Sequence, residues 1–137
     1  MSGELALYDR LANDAAYNAH VGGSAAAARI FYDEVDQAAL YPNTTIRLES
    51  IDPNDTKSGA STFDFDMVQI YHSAETKKKS SDMAINARTV LDRLAAGTYN
   101  GVQVESCQFV DQHTFTERIV DKKIFTTEQI YKVIIHR

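Results

Sequence analysis

Met83, Ala84, Ala87, Val90, Leu91 and Leu94 recur at i, i+1, i+4, i+7, i+8 and i+11. At about 100° per residue they form one apolar stripe, and this spacing predicts a long helix over residues 80–96. Ser80, Ser81 and Asp82 offer capping oxygens at its start, and Gly97 can take the left-handed conformation that closes a helix. An alternating, strand-like segment leads into this helix over residues 63–72, and another leaves it over residues 102–110. The helix is therefore expected to lie across a sheet and to fix its core.

In the first third of the chain, Leu5, Tyr8, Leu11 and Ala12 share a face and predict a helix over residues 4–13, with Ser2 or Gly3 as its cap. Asp14 caps a further short turn over residues 15–20, which ends at Gly22-Gly23. The alanine run 25–28 reads as a connection. No glycine-lysine-hydroxyl triplet follows the two glycines, so they do not make a phosphate loop. Residues 30–32 predict a short strand, and Pro42 ends whatever residues 36–41 form. In residues 44–51 Thr45, Arg47 and Glu49 stand opposite Ile46, Leu48 and, after a slip, Ile51, as in a strand. Residues 52–62 hold Pro, Asn, Asp, Gly and Ser with almost nothing apolar, which predicts a long exposed loop suited to making contacts.

The strands flanking the long helix change parity. Phe63, Phe65 and Met67 share one face and Val68 and Ile70 the other; Val102 and Val104 give way to Cys107 and Phe109. In the last segment Tyr131, Val133 and Ile135 oppose Ile130 and Ile134. Such strands either bulge or have both faces partly covered. The expected fold is α+β over a single domain, residues 1–137. Its antiparallel-dominated sheet has about four strands, residues 44–51, 62–73, 102–112 and 123–136, with one long helix packed on it and an N-terminal helix. Few helices and two apolar faces leave area unaccounted for, so the second face meets another subunit or the first helix folds behind it. Ile85, opposite the helix stripe and beside Arg88, Thr89 and Asp92, is a candidate subunit contact.

Composition narrows the classes further. At 137 residues with 44% apolar content, the chain can bury a core without metal or disulfide support. A formal charge of −5 argues against a nucleic-acid binder, which needs clustered Lys and Arg. One cysteine makes no internal disulfide, no basic stretch precedes an apolar one at the start, and no run suits a membrane span, so neither a secretory signal nor a membrane partner is expected. His20, His72, His113 and His136 lack zinc spacing and read as surface or edge residues, and no cofactor or metal is expected. Cys107 reads as a small buried hydrophobe. Asp64 and Asp66 point to one side of a strand, where two carboxylates share a proton or, more often, form the solvated face of an edge strand. Asp52-Pro53-Asn54-Asp55 opens like a calcium loop but fails at Thr56 and Lys57. Lys77-Lys78-Lys79, just before a helix start that disfavours cations, reads as a solvated loop.

The order of these pieces resembles the small tail-completion or tail-terminator proteins of long-tailed bacteriophages and of related gene transfer agents. The resemblance rests on Leu5-Ala6-Leu7-Tyr8-Asp9-Arg10-Leu11, on Val21-Gly22-Gly23, and on Arg29-Ile30-Phe31-Tyr32 after the inserted residues 24–28. Tyr41-Pro42 ahead of the strand at residues 45–50 continues it. Its most recognisable part is Asp66-Met67-Val68-Gln69-Ile70-Tyr71-His72 followed by a helix ending Val90-Leu91-Asp92-Arg93-Leu94. Gly101-Val102-Gln103-Val104 and Gln129-Ile130-Tyr131-Lys132-Val133-Ile134-Ile135 complete a pattern that spans nearly the whole chain.

The resemblance implies a structural protein of the virion, at the head-proximal end of the tail, assembled in the host cytoplasm. It implies a homo-oligomeric ring, commonly a hexamer, seated on the last ring of the tail tube. Such a ring ends tube polymerisation and offers a surface for joining the head. Its partners are then copies of itself, the major tail tube protein and head-completion or connector proteins. DNA passes through without specific binding, which an acidic ring suits. The family brings no catalytic residues. Its contact loops map by position to residues 52–62 and 111–123, and the candidate interface residues are Asp55, Lys57, Phe63, Ile85, Arg88, Phe115, Arg118 and Lys122. Two rivals remain: a head-completion or connector ring, and a small enzyme built on Asp64 and Asp66.

Overall fold

A computed structural model describes residues 2–34, 40–53, 62–119 and 121–136, the side chain of Ile119 excepted. The chain runs α1 (Gly3–Ala12), α2 (Ala15–Val21), a 3-10 turn (Ala25–Ala27), β1 (Ile30–Tyr32), β2 (Asn43–Pro53), β3 (Phe63–Ala74), α3 (Lys77–Leu91), β4 (Gly97–Tyr99), β5 (Val102–Ile119) and β6 (Lys122–His136). One mixed sheet has the order β1-β2-β3-β6-β5-β4, with β1 parallel to β2 and every other pair antiparallel. The architecture is α+β as expected, but with a 6-stranded sheet rather than about four strands. The additions are the short edge strands β1, anticipated from residues 30–32, and β4, which the sequence reading missed.

Two helix boundaries differ from expectation. Thr76, not Ser80, caps α3, its side chain accepting from Lys79 N at 3.2 Å, so Lys77, Lys78 and Lys79 form the first turn rather than a loop before it. Ser80 is buried instead, its hydroxyl donating to the His72 carbonyl at 2.9 Å and lying 2.8 Å from the Thr127 hydroxyl. The helix stops at Leu91 because residues 92 and 93 are drawn to the β5 edge: Asp92 Oδ1 accepts from Phe109 N at 3.0 Å, and Arg93 N donates to Cys107 O at 2.8 Å. Arg93 takes the positive φ, 60°, that Gly97 was expected to supply, and Gly97 opens β4. Leu91 is fully buried; Leu94, expected alongside it, is only partly so.

All three α-helices pack on one face of the sheet. Leu7 and Leu11 of α1, Tyr17 and Val21 of α2, and Met83, Ala87 and Leu91 of α3 join Ile46, Val68, Ile70, Val104, Cys107, Tyr131, Val133 and Ile135 in a single core. α1 therefore does not fold behind the sheet. The slip at Ile51 is a bulge at Glu49, between the pairs Leu48–Val68 and Ser50–Met67. Bulges at Glu105 and Val110 explain the parity change in β5, keeping Val104, Cys107 and Phe109 on the core side. β3 has no bulge against β6, so its change of parity is real: Phe63, Phe65 and Met67 face away from the helices.

The expected loop at residues 111–123 is instead strand. The β5–β6 hairpin continues in register from Asp111–Ile130 to Ile119–Lys122, well past the end of the helical layer. Its β5 residues, Asp111 to Arg118, are exposed whichever way they point. Polarity on both faces makes the run look like a loop, while the threonines and Phe115 keep it extended. The sheet also curls. Asp33, just after β1, and Phe115 and Glu117 on β5 line one hollow of ≈ 350 Å³ on the face without helices, floored by Thr45, Tyr71 and Ser73. The expected loop at residues 52–62 lies outside the described residues apart from its ends, as do residues 35–39.

Candidate functional site

In the interior Tyr17, His72, Gln129 and Tyr131 are committed to one another. His72 is fully buried, not at the surface or an edge as its spacing suggested. Its Nδ1 lies 2.7 Å from the Tyr17 hydroxyl, which also meets the Thr44 hydroxyl, and its Nε2 lies 2.8 Å from Gln129 Oε1. Gln129 in turn donates to Ala84 O and to Gln112 Oε1, each at 3.0 Å, and accepts from the Tyr131 hydroxyl at 3.0 Å. Burial holds the His72 imidazole neutral, lowering its pKa to about 4, and pushes the Tyr17 and Tyr131 hydroxyls up. Every polar atom of Gln129 is used, which marks a structural network that ties α2, α3 and four strands together.

Asp64 and Asp66 do share a side of β3, opposite Ile135 and Val133. That side is the core, and β3 is a central strand, so the reading of a solvated edge is corrected. Asp66 is fully buried beneath the start of α1, where its Oδ2 accepts from Gly3 N at 2.7 Å. A carboxylate there complements the helix dipole, while burial raises its pKa. Gly3 sits so close to β6 that a Cβ would meet Val133 Cβ at 3.0 Å. The carboxylate thus anchors a helix on the sheet. Cys107 is buried as expected, and burial pushes its thiol up to about 12. Among the described residues no three His, Cys, Asp or Glu side chains gather as metal ligands, and no helix is long and apolar enough to cross a membrane.

The outer surface is less complete. On the face away from the helices, the register aligns Phe65 with Ile134, Met67 with Lys132, and Gln69 with Ile130, all half-buried, with Lys132 Nζ 4.4 Å from the centre of the Phe65 ring. No described element lies over them.

The candidate interface residues are dispersed around this layer. Phe63 meets the His136 ring at a tilt at one end of the open face, with ring centres 4.4 Å apart. Ile85 is 62% exposed on the outside of α3, as its position opposite the stripe predicted. Arg88 lies over the Phe109 ring at 3.9 Å and 3.7 Å from Asp92. Phe115 walls the hollow, Arg118 stands near the hairpin tip opposite Lys123, and Lys122 pairs with Glu75 at 3.2 Å. Asp55 and Lys57 lie outside the described residues. The structure does not bring the eight into one site: Phe115, Arg118 and Lys122 share the hairpin, Ile85 and Arg88 share α3, and Phe63 is at the far end of β3. Sequence reasoning missed Val110, 50% exposed, and Tyr32, 39% exposed and stacked on Tyr8 at 4.8 Å. A bulge put Val110 outside the regular alternation, and a strand as short as β1 has too few residues to show which side it exposes.

The solved structures include a fold like this one: a chain from the virion of a native gene transfer agent (GTA) particle superposes with a TM-score of 0.63 at 17% identity, over 99% of this chain and 96% of that one. At that identity the likeness concerns the fold. No curated protein sequence matches. The model of the tail completion protein gp17 family matches residues 5–129. With nearly the whole chain inside that match, this protein belongs to the tail completion protein gp17 family and is a structural protein of a phage-type virion tail.

Proposed function

We propose that the protein closes the head-proximal end of a phage-type tail tube as a homo-oligomeric ring, commonly a hexamer, acting through surface burial and without catalysis. The observation that carries this reading is the one-sided sheet. Three helices cover one face, while the other, with Phe65, Met67, Ile130 and Ile134 half-buried on it, has no described element over it. His72, Gln129 and Asp66 serve inside the fold. The surface then carries the proposed work, in a family named for tail completion.

In this reading the ring ends tube polymerisation, meets the major tail tube protein on one side and connector proteins on the other, and lets DNA through. The charge of −5 keeps phosphate from adhering to its channel. Phe63, Ile85, Arg88, Phe115, Arg118 and Lys122, with Asp55 and Lys57, are the contact residues. Each subunit contact buries about 1,000 Å² or more, as specific association requires.

The test is deletion of the gene in the particle that carries it. Tails of abnormal length that fail to join heads are expected. Normal tails and infectious particles would overturn the proposal. Ile85→Asp, which places a charge where desolvation is costly, should reduce assembly while leaving the subunit's circular dichroism unchanged.

A further inference from the structure

Cations gather at one end of the fold, in two places where the local structure works against them. Lys77, Lys78 and Lys79 form the first turn of α3, the positive end of the helix dipole. Among the described residues only Lys78 of the three has a bonded carboxylate, Asp82 at 2.8 Å, which also lies near Lys79. The second place is the tip of the β5–β6 hairpin, where the register sets Arg118 directly opposite Lys123. Like charges facing each other across a strand pair destabilise it. Both placements cost stability in the isolated chain, and an anionic partner would offset both.

The topology brings the two groups to the same side and the same end of the sheet. Lys123 shares its side of β6 with Phe125, Thr127 and Gln129, and its ammonium lies 5.3 Å from the centre of the Phe125 ring. The Thr127 hydroxyl lies 2.8 Å from that of Ser80, so this is the side the helices cover. From there α3 runs away from the hairpin tip: Ala84 O accepts from Gln129, and Arg88 lies over Phe109, the partner of Tyr131. Lys77 therefore lies about 5 Å to the tip side of Ser80, and Lys123 about 13 Å to the tip side of Thr127. That leaves ~8 Å between the two groups along the strands, within the joint reach of their side chains. Lys77, Lys78, Arg118, Lys122 and Lys123 are exposed, and Lys79 is half-buried.

Four carboxylates of the described residues share this end. Glu75 is taken by Lys122 at 3.2 Å and Asp82 by Lys78. Glu117 has the opposite parity from Arg118 and lines the hollow on the other face. Asp121, exposed beside the hairpin turn, is the remaining one. The helix side thus keeps Lys77, Lys79, Arg118 and Lys123 against Asp121 and a share of Asp82. The net charge of −5 does not cancel this cluster, because at physiological salt charges more than about 8 Å away are largely screened.

Lysine is depleted in protein–protein interfaces, whereas a phosphate backbone is held by clustered Lys and Arg. The cations are not interleaved with exposed aromatic rings, on which single-strand binding depends, so the polymer they suit is a duplex. We infer that the first turn of α3 and the hairpin tip together form a contact for the phosphate backbone of double-stranded nucleic acid, through Lys77, Lys79, Arg118 and Lys123. Recognition is by charge, with no reading of base sequence. The inference goes beyond the ring reading and does not require it, since all four cations stand on one subunit. In a ring the patch recurs once per subunit, so weak contacts add along one duplex. Contacts of this low affinity let DNA move past an otherwise repelling surface.

Fluorescence anisotropy of the purified protein with a labelled, mixed-sequence duplex of about 30 base pairs tests this. Four phosphate contacts, at a slope of ~0.9 each, predict an affinity loss of about 100-fold between ~50 and ~200 mM salt. Lys77→Gln/Lys79→Gln and Arg118→Gln/Lys123→Gln each remove two contacts and should cut that loss to about tenfold. Their circular dichroism should be unchanged, because none of the four side chains is buried. Arg93→Gln, which removes an exposed charge elsewhere, should keep the wild-type salt dependence. Absence of binding at ~50 mM salt, or an unaltered salt dependence in either double variant, would overturn the inference. So would an effect of Arg93→Gln as large as that of a double variant. Tighter binding of labelled polyglutamate than of the duplex, lost in the same double variants, would overturn it in favour of an acidic protein partner.

Discussion

The hydroxyl of Tyr17 on α2 lies 2.7 Å from Nδ1 of His72 on β3, and this contact joins the two ends of a buried hydrogen-bond chain. On the other side of the ring, Gln129 turns its oxygen toward Nε2, because its amide nitrogen is already given to Ala84 O and Gln112 Oε1. Nε2 therefore carries the proton, Nδ1 accepts from Tyr17, and Tyr17 accepts from Thr44. The neutral tautomer satisfies every partner.

Acid should therefore loosen the fold through His72. Its pKa falls from 6.5 to about 4 on folding, so below about pH 6.5 the unfolded chain binds a proton that the folded chain refuses. Stability from this group is complete above pH 6.5 and is lost as pH drops toward 4, by about 3 kcal/mol in all. Urea melts between pH 7 and 4 measure it. His72→Gln should be less stable at pH 7 and should show a flatter profile across that interval.

Gln129→Met keeps the volume but strands His72 Nε2 and the Tyr131 hydroxyl. Each buried group left without a partner costs about 1–3 kcal/mol, so a loss of at least ~2 kcal/mol is expected in denaturant melts. A loss below about 1 kcal/mol would mean that water replaces the amide.

Gly3→Ala pushes a methyl group into Val133 at the point where Asp66 holds the start of α1. Overpacking of this kind costs about 1–3 kcal/mol. Val133→Ala in the same chain should recover part of the loss, which a thermal melt of the single and double variants reads directly. For scale, Leu91→Ala, at a fully buried position, should cost about 2–5 kcal/mol.

The β5–β6 hairpin predicts an exchange gradient. Amides around Cys107 and Val133 sit under α3, whereas those from His113 to Arg118 belong to a ladder with exposed β5 side chains on both faces. Hydrogen exchange should be markedly faster in the second group in free subunits, and should slow in assembled particles if the hairpin is a contact element.

Much of the fold could be read from spacing alone. The stripe from Met83 to Leu91, the first helix, the slip at Ile51 and the two faces of β6 are local patterns, set by the 3.6- and 2-residue periods of helix and strand. The exposed Ile85 could be read for the same reason. The end of α3 could not: it depends on Asp92 and Arg93 binding the edge of a strand that lies more than a dozen residues further along the chain. Nor could the strand at residues 111–119, because alternation signals a strand only when one face is buried, and here β5 exposes both. His72, Asp66 and Gln129 look like surface residues in a one-dimensional reading. Tertiary structure alone places them inside, by supplying partners from four other elements that offset their desolvation. The same holds for the candidate contact residues: periodicity shows which residues point outward, but only the strand order reveals which outward residues share an edge.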